Sequence, residues 1–242
     1  MDSLKGQLAV VTGASSGIGK AIALALAKEG AEVCLVARRR EVLDAVARQA
    51  QANSTPSHVR PADLTLDEDI HRLTQGLQRD FEQVDILILC GGAISHGPLE
   101  RAPLADFDLM YRSNLRAHYA LAQALLPLLR KRPGQIVFIN SSAGLRSPGN
   151  VGQFSATQHA LRAVADSLRE EVNSDGIRVL SVYPGRTATP RMAALFEKEG
   201  RPYRAELLMQ PEDIASMLIH ALSLPRTAEV TDISMRPLMK SY

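Results

Sequence analysis

The chain has 242 residues, a length typical of one domain. Its content of 45% hydrophobic and 22% charged residues excludes collagen-like, low-complexity and disordered proteins. With 28 basic residues against 26 acidic ones, the net charge of +2 gives no reason to expect nucleic acid or an acidic membrane as a partner.

Six β-branched or aliphatic runs predict strands, and helical patterns separate them. The runs are residues 8–11, 32–36, 84–89, 135–139, 177–182 and 229–233, and residues 57–60 are a weaker candidate for a seventh strand. Because they are continuous rather than alternating, they are typical of strands buried on both faces of a parallel sheet. The sequence therefore predicts an α/β fold, a doubly wound parallel sheet of about seven strands with helices on both faces, in a single domain over residues 1–242.

Several remaining features exclude other classes of protein or mark special segments. No apolar run is long enough to span a membrane and the N-terminus lacks a signal-peptide pattern, so we expect a cytoplasmic protein. The histidines show no metal-ligand spacing, and we predict no metal site. Cys34 and Cys90 lie in or beside apolar runs and are expected to be small buried thiols.

Residues 186–209 contain prolines and arginines without clear periodicity, and we interpret them as a candidate substrate lid.

The turn between the first strand and the first helix is rich in glycine. Gly13, Gly17 and Gly19 allow a tight turn and a close approach of the backbone to a pyrophosphate, whose charge the helix N-terminus stabilises. The candidate cofactor-binding residues here are Gly13, Ser15, Ser16, Gly17, Ile18 and Gly19. The same residues also fit two other interpretations: a tight turn without a ligand, and a hydrolase nucleophile elbow built on Ser15. The hydrolase interpretation is disfavoured because no acid and histidine follow in suitable positions.

The end of the second strand indicates which dinucleotide is bound. NAD sites use an acidic residue there to hold the ribose hydroxyl, whereas an arginine accommodates the 2′-phosphate of NADP. The sequence has Arg38 and Arg39, with no carboxylate before Glu41. It therefore predicts NADP(H), and Asp63 with Leu64 after the third strand suits a contact with the adenine ring.

Taken together, these motifs resemble the short-chain dehydrogenases/reductases (SDR) of the single-domain type, and the match covers essentially the whole chain. The motifs are residues 12–19, 63–64, Asn114, residues 134–137 leading to Ser141, and residues 183–185 with Thr187 and Thr189. The resemblance implies a Rossmann sheet of strand order 3-2-1-4-5-6-7. It implies further cofactor contacts at Cys90, Gly91, Gly92, Pro184, Gly185, Thr187 and Thr189. It also implies a homodimer or homotetramer formed through the helices near 105–131 and 152–174.

The chain departs from the family at the active site. The family carries a Tyr-x-x-x-Lys pair on one helical face, in which the tyrosine transfers a proton and the lysine lowers its pKa. Alignment from Ser141 places Phe154 at the tyrosine position and Gln158 at the lysine position. Phenylalanine has no exchangeable proton and glutamine carries no charge, and loss of general acid–base catalysis removes about 10²–10⁴-fold in rate. The other expected catalytic residues, Asn114 as a helix-kink or water-relay residue and Ser141 as an oxyanion partner, orient the substrate without transferring the proton.

Periodicity alone gives these two positions a different interpretation. Phe154 falls in the apolar stripe of its helix as an ordinary core aromatic, and Gln158 falls at the edge of that stripe. Other groups that could take over proton transfer are Tyr183, a Ser155–His159 pair, and His96, Tyr111 and Tyr119.

Three functional hypotheses remain open at this point. The first is an NADP(H)-binding oxidoreductase of the carbonyl/alcohol type with weak or non-standard activity. The second is a non-catalytic NADP(H)-binding regulator or inactive subunit partner. The third, which is disfavoured, is a hydrolase built on residues 13–17. An engineered inactive variant of an NADP-dependent reductase is an alternative form of the second hypothesis.

Overall fold

The computed structural model describes residues 3–52 and 55–239, so residues 1, 2, 53, 54 and 240–242 of the predicted domain lie outside the description. The strands are β1 (Leu8–Thr12), β2 (Glu32–Ala37), β3 (Ser57–Pro61), β4 (Ile86–Leu89), β5 (Gln135–Ile139), β6 (Arg178–Pro184) and β7 (Asp232–Met235). The α-helices are α1 (Gly17–Lys28), α2 (Arg40–Gln51), α3 (Asp67–Asp80), α4 (Leu104–Met110), α5 (Ala117–Leu129), α6 (Gly152–Val172), α7 (Pro190–Lys198) and α8 (Pro211–Leu222). A π-helical turn, Tyr111–Arg116, joins α4 to α5, and short 3₁₀ turns occupy Ser142–Gly144, Asn173–Asp175 and Ala205–Leu207.

The seven strands form one parallel sheet in the order β3-β2-β1-β4-β5-β6-β7. This arrangement confirms the α/β fold and the strand order that the family resemblance implies. The order reverses between β1 and β4, and parallel sheets of this kind bind ligands beyond the carboxyl ends of the strands at such a reversal.

The continuous apolar runs are explained by a core on each face of the sheet. In β1, Val11 packs into a core shared with α1, α2 and α8, whereas Val10 packs into one shared with α3, α5 and α6. Each fully buried aliphatic side chain contributes about 1.5–3 kcal/mol, so both faces contribute to stability. None of the helices within the described ranges is both long and apolar enough to cross a bilayer.

Two predicted elements differ from the structure. The last strand begins three residues later than predicted, at Asp232, because the Glu229 carboxylate accepts a hydrogen bond of 2.8 Å from the Val179 amide and is not part of the β-ladder. Residues 186–209 were predicted to be irregular but contain α7. Thr189 caps that helix by accepting from the Met192 amide at 3.1 Å, and Pro190 occupies its first position, which are two local start signals that periodicity does not detect.

Candidate active site

The glycine-rich turn lies at the carboxyl end of β1 and is packed tightly on three sides. Gly13 and Gly17 have φ angles of +65° and +52°, a region that side chains other than glycine rarely adopt. A β-carbon on Gly13 would lie 3.1 Å from the Cys90 backbone, and one on Gly17 would lie 2.9 Å from a methyl carbon of Thr189. A β-carbon on Gly19 would lie 2.8 Å from the carbonyl carbon of Gly13. The turn therefore brings the loop after β4 and the start of α7 to the N-terminus of α1.

The first turn of α1 combines the positive end of the helix dipole with backbone amides that no side chain of the described residues caps. Ser16 is the N-cap residue, yet its side chain makes no capping bond within the part of the chain described here. The first amide groups of α1 are thus left for another acceptor, and helix N-termini favour negative charge. Ser15 is half-buried beside it, and Ile18 packs against the core below.

Thr12 links β1 to the loop that follows β4, a role that the sequence motif did not specify. Its hydroxyl oxygen accepts from the amides of Cys90 at 2.8 Å and Gly91 at 3.2 Å, and it donates to the Ile88 carbonyl at 3.2 Å. Burial raises the pKa of Cys90 to about 12, so its thiol stays protonated. The contact of Cys90 with Thr12 is made by its backbone amide. A β-carbon on Gly92 would lie 2.7 Å from the side-chain oxygen of Asn114, which fixes the next step of the loop.

The predicted basic residues stand at the edge of this cleft. Arg38 and Arg39 follow β2 and are exposed. Arg191, which sequence reasoning missed, joins them from α7. Arg191 is exposed, and partial desolvation, followed by repulsion from Arg38, lowers its pKa. Only its place beside a family motif, two residues after Thr189, could have indicated it.

The remaining predicted cofactor residues form the outer walls of the cleft. Asp63 accepts from the Thr65 amide at 3.0 Å and the Thr65 hydroxyl at 2.7 Å, which fixes the turn after β3. Leu64 approaches Gly91 across the cleft. Beyond Pro184, the last residue of β6, the Gly185 amide donates to the Met235 carbonyl at 2.8 Å. Thr187 is buried and donates to the Gly185 carbonyl at 3.1 Å, and this segment leads into Thr189 beside the glycine turn.

Asn114 lies in the π-helical turn, and its side chain is held by three hydrogen bonds. Its oxygen accepts from the Ala93 amide at 2.7 Å. Its nitrogen donates to the Ala93 carbonyl at 2.9 Å and the Thr157 hydroxyl at 3.2 Å. The side chain thus ties the π-helical turn to the loop after β4 and to α6, an arrangement that fits the helix-kink role.

The turn after β5 presents Ser141 towards α6. The Ser141 hydroxyl oxygen accepts from the Ala143 amide at 3.1 Å, which leaves its O–H to donate elsewhere. The turn is clamped by Asn140, which sequence reasoning missed. Asn140 accepts from the Ser141 amide at 2.7 Å and donates to the Gln158 carbonyl at 3.0 Å, so Ser141 is held against α6.

Phe154 and Gln158 both lie on a buried part of α6. The expectation that Gln158 sits at the edge of the apolar stripe is wrong, since only 4% of the residue is exposed. The reason is that α6 packs against the π-helical turn and the Ser142–Gly144 turn as well as the sheet, so its buried face is wider than its apolar stripe. The Gln158 side chain makes a long hydrogen bond of 3.4 Å to the Thr157 hydroxyl. Phe154 is also buried.

The alternative proton-transfer groups are placed very differently from one another. Tyr183 is fully buried in β6, and burial, together with the Asp232 carboxylate, raises its pKa, so it is a poor acid–base group. The ring nitrogen of His159 contacts the backbone carbonyl of Ser155 at 3.0 Å, so the proposed hydroxyl–imidazole pair is absent. Tyr111 and Tyr119 are exposed. His96, in contrast, lies beside Phe154, with 6.2 Å between the ring centroids.

A parallel sheet of this order, with a glycine turn at its reversal point and a serine turn held against a long helix, has the architecture of a Rossmann-type oxidoreductase. The model of the family described as short chain dehydrogenase matches residues 7–200, and the chain belongs to that family. Among the described residues, no group of three or more histidine, cysteine, aspartate or glutamate side chains is placed to hold a metal ion.

Curated relatives cover the chain almost completely. The chain is 33% identical over 239 residues to an uncharacterised oxidoreductase of Staphylococcus aureus strain USA300, which covers 98% of this chain and 100% of that protein. It is also 33% identical over 240 residues to the glycine betaine reductase ATRR of Emericella nidulans. That match covers 97% of this chain, and the chain spans only 19% of that protein's length.

Solved structures of the same family superimpose on the whole fold. A metagenomic short-chain oxidoreductase in complex with NADP has 31% sequence identity and a TM-score of 0.84, covering 98% of this chain and 100% of its own. The L-sorbose reductase of Gluconobacter frateurii, complexed with NADPH and L-sorbose, has 27% identity and a TM-score of 0.89, with both chains fully covered.

Proposed function

We propose that the protein is an NADP(H)-binding oxidoreductase of the carbonyl/alcohol type whose ordinary proton-transfer residues are absent, so that turnover by the family's usual route is weak. The observation that carries the proposal is the contrast within one cleft. The glycine turn and its basic rim are present, whereas Phe154 and Gln158 occupy a buried face of α6, whose backbone at Gln158 is hydrogen-bonded to Asn140 beside Ser141.

The choice of NADP(H) rests on charge and on the shape of the turn. Arg38, Arg39 and Arg191 bring positive charge to one cleft, and the repulsion between Arg38 and Arg191 is relieved by an anion placed between them. The glycine turn has the tight packing and free helix amides that fit a pyrophosphate. Several similar structures are complexes with NADP or NADPH.

Individual residues take proposed roles in holding this cofactor. The glycine turn and the N-terminus of α1 would hold the pyrophosphate, Arg38 and Arg39 the 2′-phosphate, and Asp63 with Leu64 the adenine. The remaining contacts would come from Cys90, Gly91, Gly92, Pro184, Gly185, Thr187 and Thr189. When bound, the nicotinamide supplies or accepts a hydride.

At the family's catalytic positions, the substrate side keeps groups that orient but do not exchange a proton. Ser141 has an O–H free to donate to a substrate oxygen, and Asn140 holds it against α6. Asn114 fixes the loop after β4 through Ala93. At the family's proton-transfer positions, Phe154 has no exchangeable proton and Gln158 no charge, so neither supplies a general acid.

Fluorescence titration with NADPH and NADH tests the cofactor half of the proposal. We expect NADPH to bind, and to bind more tightly than NADH. Absence of binding at millimolar NADPH would refute the proposal, and binding without any turnover across a panel of ketones and aldehydes would favour the regulator or inactive-subunit hypothesis instead.

The double substitution Phe154→Tyr with Gln158→Lys tests the catalytic half. It supplies a phenol and a nearby cation, and we expect the reductase rate to rise, by at most about 10²–10⁴-fold, on a substrate from that panel. The single substitutions are the matched controls, because a tyrosine without its lysine keeps a high pKa. A folded, NADPH-binding double variant with no gain would contradict the proposal.

We also propose a homodimer or homotetramer built on α4, α5 and α6. Large apolar side chains on the first two of these helices and the turn between them are exposed, namely Phe107, Leu109, Tyr111 and Tyr119. Light scattering of the purified protein should therefore give a mass of two or four chains. A monomer at micromolar concentration would contradict this part of the proposal.

A further inference from the structure

His96 is held next to the position from which the family's tyrosine is missing. The ring centroids of His96 and Phe154 are 6.2 Å apart at an interplanar angle of 54°, within the range of roughly 4.5–7 Å typical of neighbouring aromatic rings. Both flanking residues are anchored. The Ser95 hydroxyl donates to Asp106 at 2.6 Å, and the Gly97 amide donates to the Asn150 carbonyl at 2.7 Å. The loop after β4 is thereby fixed to α4 and to the segment before α6.

A carboxylate orients the His96 ring. The Nδ1 atom of His96 lies 2.7 Å from a carboxylate oxygen of Glu199, the C-cap residue that follows α7, and the second oxygen accepts from Arg201 at 2.9 Å. Partial burial opposes ionisation of Glu199, but hydrogen bonds from His96 and Arg201 outweigh it and lower its pKa. An ionised carboxylate accepts only, so Nδ1 carries the proton that it shares with Glu199 and Nε2 is left for exchange with another group.

The carboxylate is itself held in place. The Arg201 guanidinium lies 4.5 Å from the ring centroid of Phe196, which is buried in α7. The side chains of His96 and Glu199 are 21% and 25% exposed, so the pair is shielded but open to small molecules. Other enzymes use the same arrangement for general acid–base catalysis: an imidazole whose Nδ1 is hydrogen-bonded to a carboxylate that is itself held in place.

We propose that His96 is the proton-transfer residue of this protein and that Glu199 is its positioning residue; this inference rests on the proposed oxidoreductase function. In the reductive direction, protonated His96 gives the proton on Nε2 to the carbonyl oxygen while the carbonyl carbon receives the hydride from NADPH. The electron pair of the broken carbonyl π bond stays on oxygen and forms the O–H bond. Neutral His96 then regains a proton from water, so that carbonyl, NADPH and one proton give alcohol and NADP⁺. The oxidative direction reverses each step.

The tautomer of His96 can be tested in the free protein, without cofactor or turnover. Imidazole ¹⁵N spectra should show the neutral ring with its proton on Nδ1. Glu199→Ala should move part of the population to the Nε2–H form, and Glu199→Gln should restore Nδ1–H in part because an amide oxygen also accepts. Glu197→Gln, on the exposed face of the same helix, is the matched control. A wild-type ring that carries its proton on Nε2 would overturn the inference.

Kinetics with NADPH test the proton transfer itself. His96→Ala should lower kcat by about 10²–10⁴-fold with little change in KM or NADPH affinity, and added imidazole should restore part of the rate. Glu199→Ala should lower kcat by a smaller factor, whereas His71→Ala, on the exposed face of α3, should have no effect. In the Phe154→Tyr, Gln158→Lys background the loss from His96→Ala should shrink, because the phenol takes over the proton.

The outcomes separate this inference from the function on which it rests. A wild type that fails to bind NADPH overturns the proposed function. A wild type that binds and reduces a carbonyl, with kcat unchanged by His96→Ala, overturns only the role of His96. A wild type that binds NADPH and reduces nothing overturns the role of His96 and leaves the cofactor site standing.

Discussion

The two sides of the cleft depend on different kinds of group: close packing of glycines on the cofactor side, and the identity of individual side chains on the proton-transfer side. On the cofactor side, the critical features are close approaches of glycines: Gly13 to the Cys90 backbone, Gly19 to the Gly13 backbone, and Gly17 to the Thr189 side chain. On the proton-transfer side, the critical features are side chains at positions 154 and 158, where phenylalanine and glutamine are both buried without disrupting α6. The cofactor motif is therefore tied to folding, whereas the acid–base groups are decoupled from it. A chain of this family can keep its fold and its glycine turn while its proton-transfer chemistry changes.

The largest effect is expected from a side chain placed inside the glycine turn. Gly13→Val puts a β-branched residue at positive φ and 3.1 Å from the Cys90 backbone, which costs about 3–5 kcal/mol in strain and overpacking combined. We expect weaker binding of NADPH by more than roughly 100-fold together with a lower melting temperature. Calorimetry of binding and thermal unfolding measure the two effects. If stability fell and NADPH affinity did not, the turn would be structural only.

A buried histidine close to Asn114 should make the stability of the fold depend on pH. His118 follows Asn114 by one turn, is fully buried, and burial lowers its pKa to about 4 from 6.5. The unfolded chain therefore binds the proton more readily, and stability should fall as pH drops from about 6.5 towards 4. With 1.36 kcal/mol per pKa unit, the loss reaches about 3 kcal/mol.

Urea unfolding at several pH values checks this expectation. His118→Asn is the variant to compare, because it keeps a polar group without titrating in that range. The variant should show a shallower pH dependence between pH 7 and 4. Parallel curves for the two proteins would mean that His118 does not titrate as the burial implies.

How much of the fold and of the candidate site could be predicted from the sequence depends on whether the residues that determine a feature are close together in the chain. The parallel sheet and the glycine turn are encoded locally, by continuous apolar runs and by glycines directly after β1, whereas the strand order followed only from the family resemblance. The helix at 190–198 was missed because its start depends on Thr189 and Pro190, not on periodicity. Helical periodicity puts Gln158 at the edge of the apolar stripe of α6 because it does not include the turns that cover this helix. His96 and Glu199 are 103 residues apart, and only the folded chain brings them to 2.7 Å.

A substitution that alters the choice between NADPH and NADH should have a smaller effect on binding. Arg38→Ala removes one cation from the rim, and we expect NADPH binding to weaken by about tenfold while NADH binding changes little, since charge-assisted contacts are worth about 1.5–3 kcal/mol and this one is partly screened by solvent. Titration at low and high salt measures it, with Arg48→Ala on α2 as the control. Equal losses for both dinucleotides would indicate that Arg38 does not read the 2′-phosphate.

The smallest effect should come from a glycine that has neither a packing nor a ligand role. Gly76 lies inside α3, and a β-carbon there would meet only the end of the Arg79 side chain, at 4.0 Å. Gly76→Ala should therefore stabilise the fold by about 0.5–1 kcal/mol through helix propensity and leave NADPH binding unchanged. Chemical denaturation measures this gain. Its sign is opposite to that at Gly13, because a glycine in open helix costs stability whereas a glycine at a close backbone approach supplies it. A loss of stability at position 76 would show that backbone approach alone does not separate the two kinds of glycine.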